Sequence, residues 1–349
     1  MANDKLLSRQ SGMELLRIIA MLLVVIVHTD YYTFGAPTYD YMQSNPDKAF
    51  AMYLVDSIAI ICVNCFVFIS GWFGIKPKWK SFANLLFQIV FFNLLLYFGY
   101  VALGKQPFSL MSFVSHCNFL EHWFIPTYIA LFFIAPMLNI FVEKADKATL
   151  RNVIVALAVL ELLLGWTVDY LHIKGGYSLL SFILIYLVAR TLKSRPIGFI
   201  ERLSKWQLMG IYALCVGVNM AIVYGSYFFY PAGISHIGRF FNYASPIVLV
   251  ASFAFCLFFT KLRFKSVAIN WIAASAFAIY LFHTDRLFLD RFFVNFCRSQ
   301  LEANNIYVFS LIMVGFVLAV AAVSILLDQL RILVWRLIAP IFDSKKREQ

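Results

Sequence analysis

Stretches of about 20 apolar residues, the length an α-helix needs to cross a hydrocarbon core, recur along the whole 349-residue chain with no long polar insertion between them. Hydrophobic residues make up 62% of the sequence and charged residues 13%, a balance outside that of soluble domains. The chain therefore reads as an all-α membrane protein, a bundle of about ten transmembrane helices. The expected spans are 13–33, 52–73, 82–103, 122–142, 151–170, 177–193, 207–230, 240–260, 267–285 and 304–328, the sixth of them short.

The basic residues give the expected orientation. With the N-terminus inside, 21 of the 29 Lys and Arg residues fall in inner segments and 7 in outer ones, with Arg17 inside the first span. Cytoplasmic loops collect Lys and Arg, so both termini are expected in the cytoplasm. The net charge of +11 is then a signature of topology, with membrane lipids as partners and no nucleic acid. The last stretch, 330–349, reads as an amphipathic, basic cytoplasmic tail with Arg331 and Arg336 reaching for headgroups. A single domain, 1–349, is expected, with the first apolar stretch kept as a span and not cleaved as a signal. The CxxC of Cys62 and Cys65 lies inside an apolar span with no second pair, so the two read as packing residues.

Within span one, "RIIAMLLVVIVH" sets Arg17 and His28 at the ends of ten apolar residues. Eleven helical steps return the two side chains to within about 20° of one face, roughly 16 Å apart along the axis. Met21 and Val24 lie between them on that stripe, and Glu14 stands one turn before Arg17. Ionisable groups at such depth cost several kcal/mol unless they face protein or water, so the stripe is expected to face the bundle interior. Snorkelling of Arg17 toward Glu14, and a histidine merely satisfied by a neighbouring helix, are the bland alternatives.

All six histidines fall in outer loops or at the outer ends of spans under this topology. His28 and His283 close spans one and nine at similar depth, with Asp30 and Asp285 each two positions later. If those spans are neighbours, imidazoles and carboxylates gather near the outer surface, and a histidine beside an acid is how a base near neutral pH is made. A zinc site is the weaker reading, since no pair places two ligands on one helical turn; no metal is expected. Glu121, His122 and Trp123 open span four at the outer interface, where Trp is a common anchor and where an indole could also stack on a sugar. Glu161 is an intramembrane acid without an assigned role.

Together these stretches resemble the integral-membrane acyltransferase family 3. The Arg-x10-His pattern matches that family's first-span signature. "NCFVFISGWFGIK" (64–76) resembles its second-span Ser-Gly motif, "HWFIPTYIALFFIAPMLN" (122–139) its Trp-Phe stretch, and "AFAIYLFHTD" (276–285) its late Tyr-Leu-x-His. The resemblance covers nearly the whole chain. It implies a bacterial cytoplasmic-membrane O-acyltransferase that moves an acyl group, usually acetyl, from cytoplasmic acyl-CoA to a hydroxyl of an extracytoplasmic sugar or surface polysaccharide. Its site residues would be His28 as base, oriented by Asp30 or by the Tyr280/His283 end of span nine, and Arg17 on the CoA moiety. Glu121, His122, Trp123, Tyr280, His283 and Asp285 would contact substrate, and acetyl-CoA would be the donor. An acyl-His28 intermediate is an open alternative to direct transfer. A transporter or flippase for a glycan or lipid-linked intermediate is the rival function, distinguished by whether acyl-CoA releases free thiol when a sugar is present.

Overall fold

The computed structural model describes residues 9–76, 78–116, 122–168 and 174–342. No strand occurs among them. The main helices are α1 (Ser11–Tyr32), α2 (Pro46–Phe73), α3 (Trp79–Ala102), α4 (Phe124–Lys144), α5 (Lys147–Thr167), α6 (Leu179–Ser194), α7 (Lys205–Phe229), α8 (Pro246–Thr260), α9 (Val267–His283), α10 (Arg286–Ala303) and α11 (Ile306–Ile338). Seven described helices are long and apolar enough to cross a membrane, and nine if each of two bent pairs counts as one span. The expected sixth span is helix α6, whose 16 residues rise only about 24 Å, short of a hydrocarbon core of about 30 Å. The expected ninth span breaks after His283: the chain bends by 60° into α10, with Asp285 Oδ1 accepting from the backbone N–H groups of Leu287 and Phe288.

Helix α1 is central, packed on α2, α8, α9 and α11. Two glycines let backbones meet where any side chain would intrude. A Cβ on Gly12 would stand 2.7 Å from the Phe259 carbonyl oxygen, and one on Gly71 would stand 2.5 Å from that of Tyr186 on α6. Small residues at such crossings are the usual device in lipid, where the hydrophobic effect does not drive helices together. Gly71→Ala is expected to cost about 1–3 kcal/mol, because the obstacle is backbone and cannot rotate away; thermal melting in detergent reads the loss. Cys62 and Cys65 are buried and unbridged, and between them Asn64 Nδ2 donates to the Tyr243 carbonyl at 3.1 Å and reaches Ser252 Oγ at 3.2 Å, tying α2 to α8.

The C-terminal stretch differs from its expected form. Helix α11 runs unbroken through residue 338, and Arg331 does not reach for headgroups: it is 5% exposed. Its Nε and Nη2 bond both carboxylate oxygens of Asp328 at 2.8 and 2.9 Å, and Nη1 donates to Asn84 Oδ1 at 3.1 Å. Gln88 Nε2 donates to Asp328 Oδ1 at 3.2 Å. The reason is local. Residues three apart share a helix face, so the arginine that leaves Asp328 unpaired strands a buried carboxylate, and pairing inward against α3 costs less. Arg336, on another face, is exposed as expected.

Candidate active site

Where α1 ends, its last turn widens into a π-helical turn, His28–Tyr32, and the Thr33 hydroxyl donates to the His28 carbonyl at 2.6 Å. Such widened turns cost regular hydrogen bonding and recur at functional sites. A second one, Leu289–Phe293, opens α10. Both face a cavity of about 910 Å³. Its α1 wall carries Met21, Val24, Val27, His28, Tyr31 and Tyr32; Tyr280 comes from α9, and His122 and Trp123 from the start of α4.

His28 and His283 meet at this wall. His283 is fully buried, and its Nδ1 lies 2.5 Å from the Ile279 carbonyl oxygen. A carbonyl only accepts, so this ring nitrogen carries the proton. In the neutral ring His283 Nε2 is then an acceptor, and its partner is His28 Nδ1, 3.0 Å away. His28 therefore donates from Nδ1, which leaves Nε2 as a bare lone pair on the opposite edge of a ring that lines the cavity. The tautomers follow from the hydrogen-bond chain, as they do wherever a second group fixes an imidazole.

The two carboxylates expected beside these histidines lie elsewhere. Asp30 lines a different, apolar cavity of about 330 Å³ with Thr29, Met52 and Phe309, and its Oδ1 makes no hydrogen bond. Two positions along a helix turn a side chain roughly 200°, so Asp30 points away from the face that His28 occupies, and His283 orients His28 in its place. Asp285 caps α10, and its Oδ2 stands 3.0 Å from His116 Nε2 in an adjoining chamber. Arg17 is ion-paired with Glu14, one turn below Met21, which is the lowest α1 residue of the cavity wall. The stripe from His28 through Val24 to Met21 thus faces the interior, and Arg17 continues it just beyond the floor. His122, Trp123 and Tyr280 share the cavity with His28; Glu121 lies outside the described residues. Glu161 is buried in a π-helical turn of α5, away from the cavity.

Several cavity residues carry no signal in local sequence. Tyr177 and Tyr243 flank Trp123, with ring centroids 4.4 and 6.1 Å from its own. They are brought there by a loop contact in which Ala244 N–H donates to the Gly175 carbonyl at 3.0 Å. Gly175 and Gly176 have φ of 63° and 101°, and a Cβ on Gly176 would stand 2.7 Å from Tyr243, so only glycine permits the approach. Arg286 and Asp290 also line the cavity. Tyr31 was findable, since it lies three residues after His28 and shares its face. Among the described residues no group of three or more His, Cys, Asp and Glu side chains is arranged to hold a metal ion.

A wall of aromatic rings around one unprotonated imidazole nitrogen suits acid–base chemistry on a hydroxyl. The model of acyltransferase family 3, described as an acyltransferase domain, matches residues 10–328, nearly the whole chain. The chain belongs to this family. It is a membrane acyltransferase and requires an acyl donor and an acceptor. No curated protein and no solved structure matches it.

Proposed function

We propose that this acyltransferase moves an acyl group, acetyl by preference, from cytoplasmic acyl-CoA to a hydroxyl of an extracytoplasmic sugar or cell-surface polysaccharide in a bacterial cytoplasmic membrane. In this reading the bundle has ten spans, the short α6 included, and both termini are cytoplasmic, so that Arg17 lies toward the donor and His28 toward the acceptor. The observation that carries the reading is the His28–His283–Ile279 hydrogen-bond chain at the wall of the cavity, which assigns the Nδ1 proton of His28 and so leaves its Nε2 as the acceptor.

The reaction balances around that nitrogen. His28 Nε2 takes the hydroxyl proton as the oxygen attacks the thioester carbonyl. The C–S bond breaks, the thiolate leaves, and the imidazolium returns the proton to it, giving ester and free CoA. His283 does not exchange protons with substrate; it holds the ring, and its carbonyl-bound Nδ1 keeps the tautomer. Arg17, one turn below Met21 and ion-paired with Glu14, would meet a phosphate or carbonyl of the donor, and the Met21–Val24 stripe would lie along the pantetheine arm.

The direct experiment is release of free thiol from acetyl-CoA by purified protein, with and without a sugar acceptor. Acceptor-dependent release supports the reading, and none across a series of acyl-CoAs with a verified acceptor would sink it. His283→Ala separates positioning from folding. It is expected to lower kcat at least about tenfold with the KM for acyl-CoA little changed, and His283→Gln, whose amide oxygen can still accept from His28 Nδ1, is expected to recover part of the loss. Arg17→Ala is expected to act mainly on the KM for acyl-CoA. An effect on kcat alone would remove Arg17 from donor binding.

A further inference from the structure

Beside the His28 cavity lies a second chamber of about 460 Å³, within the size range of small-ligand sites. His122, Arg286 and Asp290 line both spaces, so the two share a wall. Their chemistry differs. The larger space is walled by the rings of Trp123, Tyr177 and Tyr280, whereas the smaller is lined by Asn93, Gln106, Ser112 and Ser115 together with two acids, Asp285 and Asp290, and two arginines, Arg286 and Arg291.

We propose that this chamber is a second saccharide subsite, so that the acceptor is a chain of at least two sugar units. One unit presents its hydroxyl to His28 while its neighbour sits in the polar chamber. The inference rests on the sugar O-acyltransferase reading above and deepens it. With His116 and His122 neutral, the two carboxylates and two guanidiniums cancel formally, so the chamber has no net charge with which to select an ion. It offers acceptors and donors side by side, and that alternation fits vicinal hydroxyls, each of which both donates and accepts.

One donor there lacks its acceptor. Gln106 Nε2 is buried and makes no hydrogen bond, although its side chain lines the chamber, and buried polar atoms are ordinarily satisfied. The wall around it is held in place. Arg291 Nη1 donates to the Lys105 carbonyl at 3.3 Å, tying the Gln106 loop to α10. Asp285 is held by its two capping bonds, and His116 Nε2, 3.0 Å from its Oδ2, makes no hydrogen bond of its own. The aromatic chamber then supplies flat faces for the apolar side of a sugar ring, and the polar chamber reads the hydroxyls of the next.

The test uses a ladder of one to four units obtained by partial hydrolysis of the surface polysaccharide of the cell the gene comes from, with labelled acetyl-CoA and the full-length protein. The expected result is a rise in kcat/KM of at least tenfold from one unit to two, with little further gain. In Gln106→Ala, and in Ser112→Trp, whose indole fills the exposed side of the chamber, the ratio of two-unit to one-unit kcat/KM is expected to fall at least tenfold. Equal kcat/KM for one and two units in the unaltered protein would overturn the subsite, as would a two-unit advantage that survives both substitutions. If thiol is released yet no fraction of the ladder is labelled, the sugar reading itself fails and the subsite falls with it.

Discussion

Replacing His28 by alanine is expected to lower acyl transfer by about 10²–10⁴-fold, the usual contribution of a positioned general base. The loss should appear in kcat, because the ring is withdrawn from proton transfer and not from the Met21–Val24 stripe along which the donor would lie. Binding of acyl-CoA to the variant, read by its thermal stabilisation in detergent, is expected to persist. Folding is not at stake on the same scale. His28 is partly exposed to the cavity, and its one strong tie is the bond to His283. Near-normal turnover in a folded His28→Ala protein would exclude the imidazole from the chemistry. A trapped, hydroxylamine-sensitive acyl group on unaltered protein, absent from the variant, would instead show that His28 carries the acyl group as a nucleophile.

The second large effect concerns stability. Arg331→Ala removes the partner of Asp328, a carboxylate with no exposed surface, and leaves it with only the amide of Gln88. Breaking one side of a buried ion pair typically costs about 3–5 kcal/mol, and here the loss would part α11 from α3. Removing both charges, as in an Asp328→Leu, Arg331→Met protein, is expected to recover most of the stability, since no buried charge is left unpaired. Melting temperatures of the single and double variants in one detergent test this. A single variant as stable as the parent would mean that the pair is solvated by the membrane interface and contributes little.

Most helix positions were legible because most of the apolar runs are long, and the shared face of Met21, Val24 and His28 followed from helical geometry alone. The meeting of His28 with His283 was legible too, from two histidines closing different spans at similar depth. The acids were misread for a reason visible in the same geometry: Asp30 stands two residues from His28 and so on the far side of the helix, while Asp285 lies past a 60° bend. Arg331 was misread as a headgroup ligand because its partner on α3, Asn84, is 247 residues away in sequence, and the Gln88 amide that joins it on Asp328 is 240 residues from that acid. Tyr177 and Tyr243 were invisible, since only the contact of Gly175 with Ala244 brings them beside Trp123. Widened turns at His28–Tyr32 and Leu289–Phe293 leave no trace in a search built on a 3.6-residue period.

The central claim is that His283 fixes the tautomer of His28 and so frees its Nε2 for the acceptor. Long-range proton–nitrogen NMR of the protein labelled with ¹⁵N-histidine reads this directly, with His28 and His283 assigned by the signals lost in His28→Gln and His283→Gln. Both rings are expected to be neutral and to carry the proton on Nδ1. A proton on His28 Nε2, with Nδ1 bare, would contradict the account.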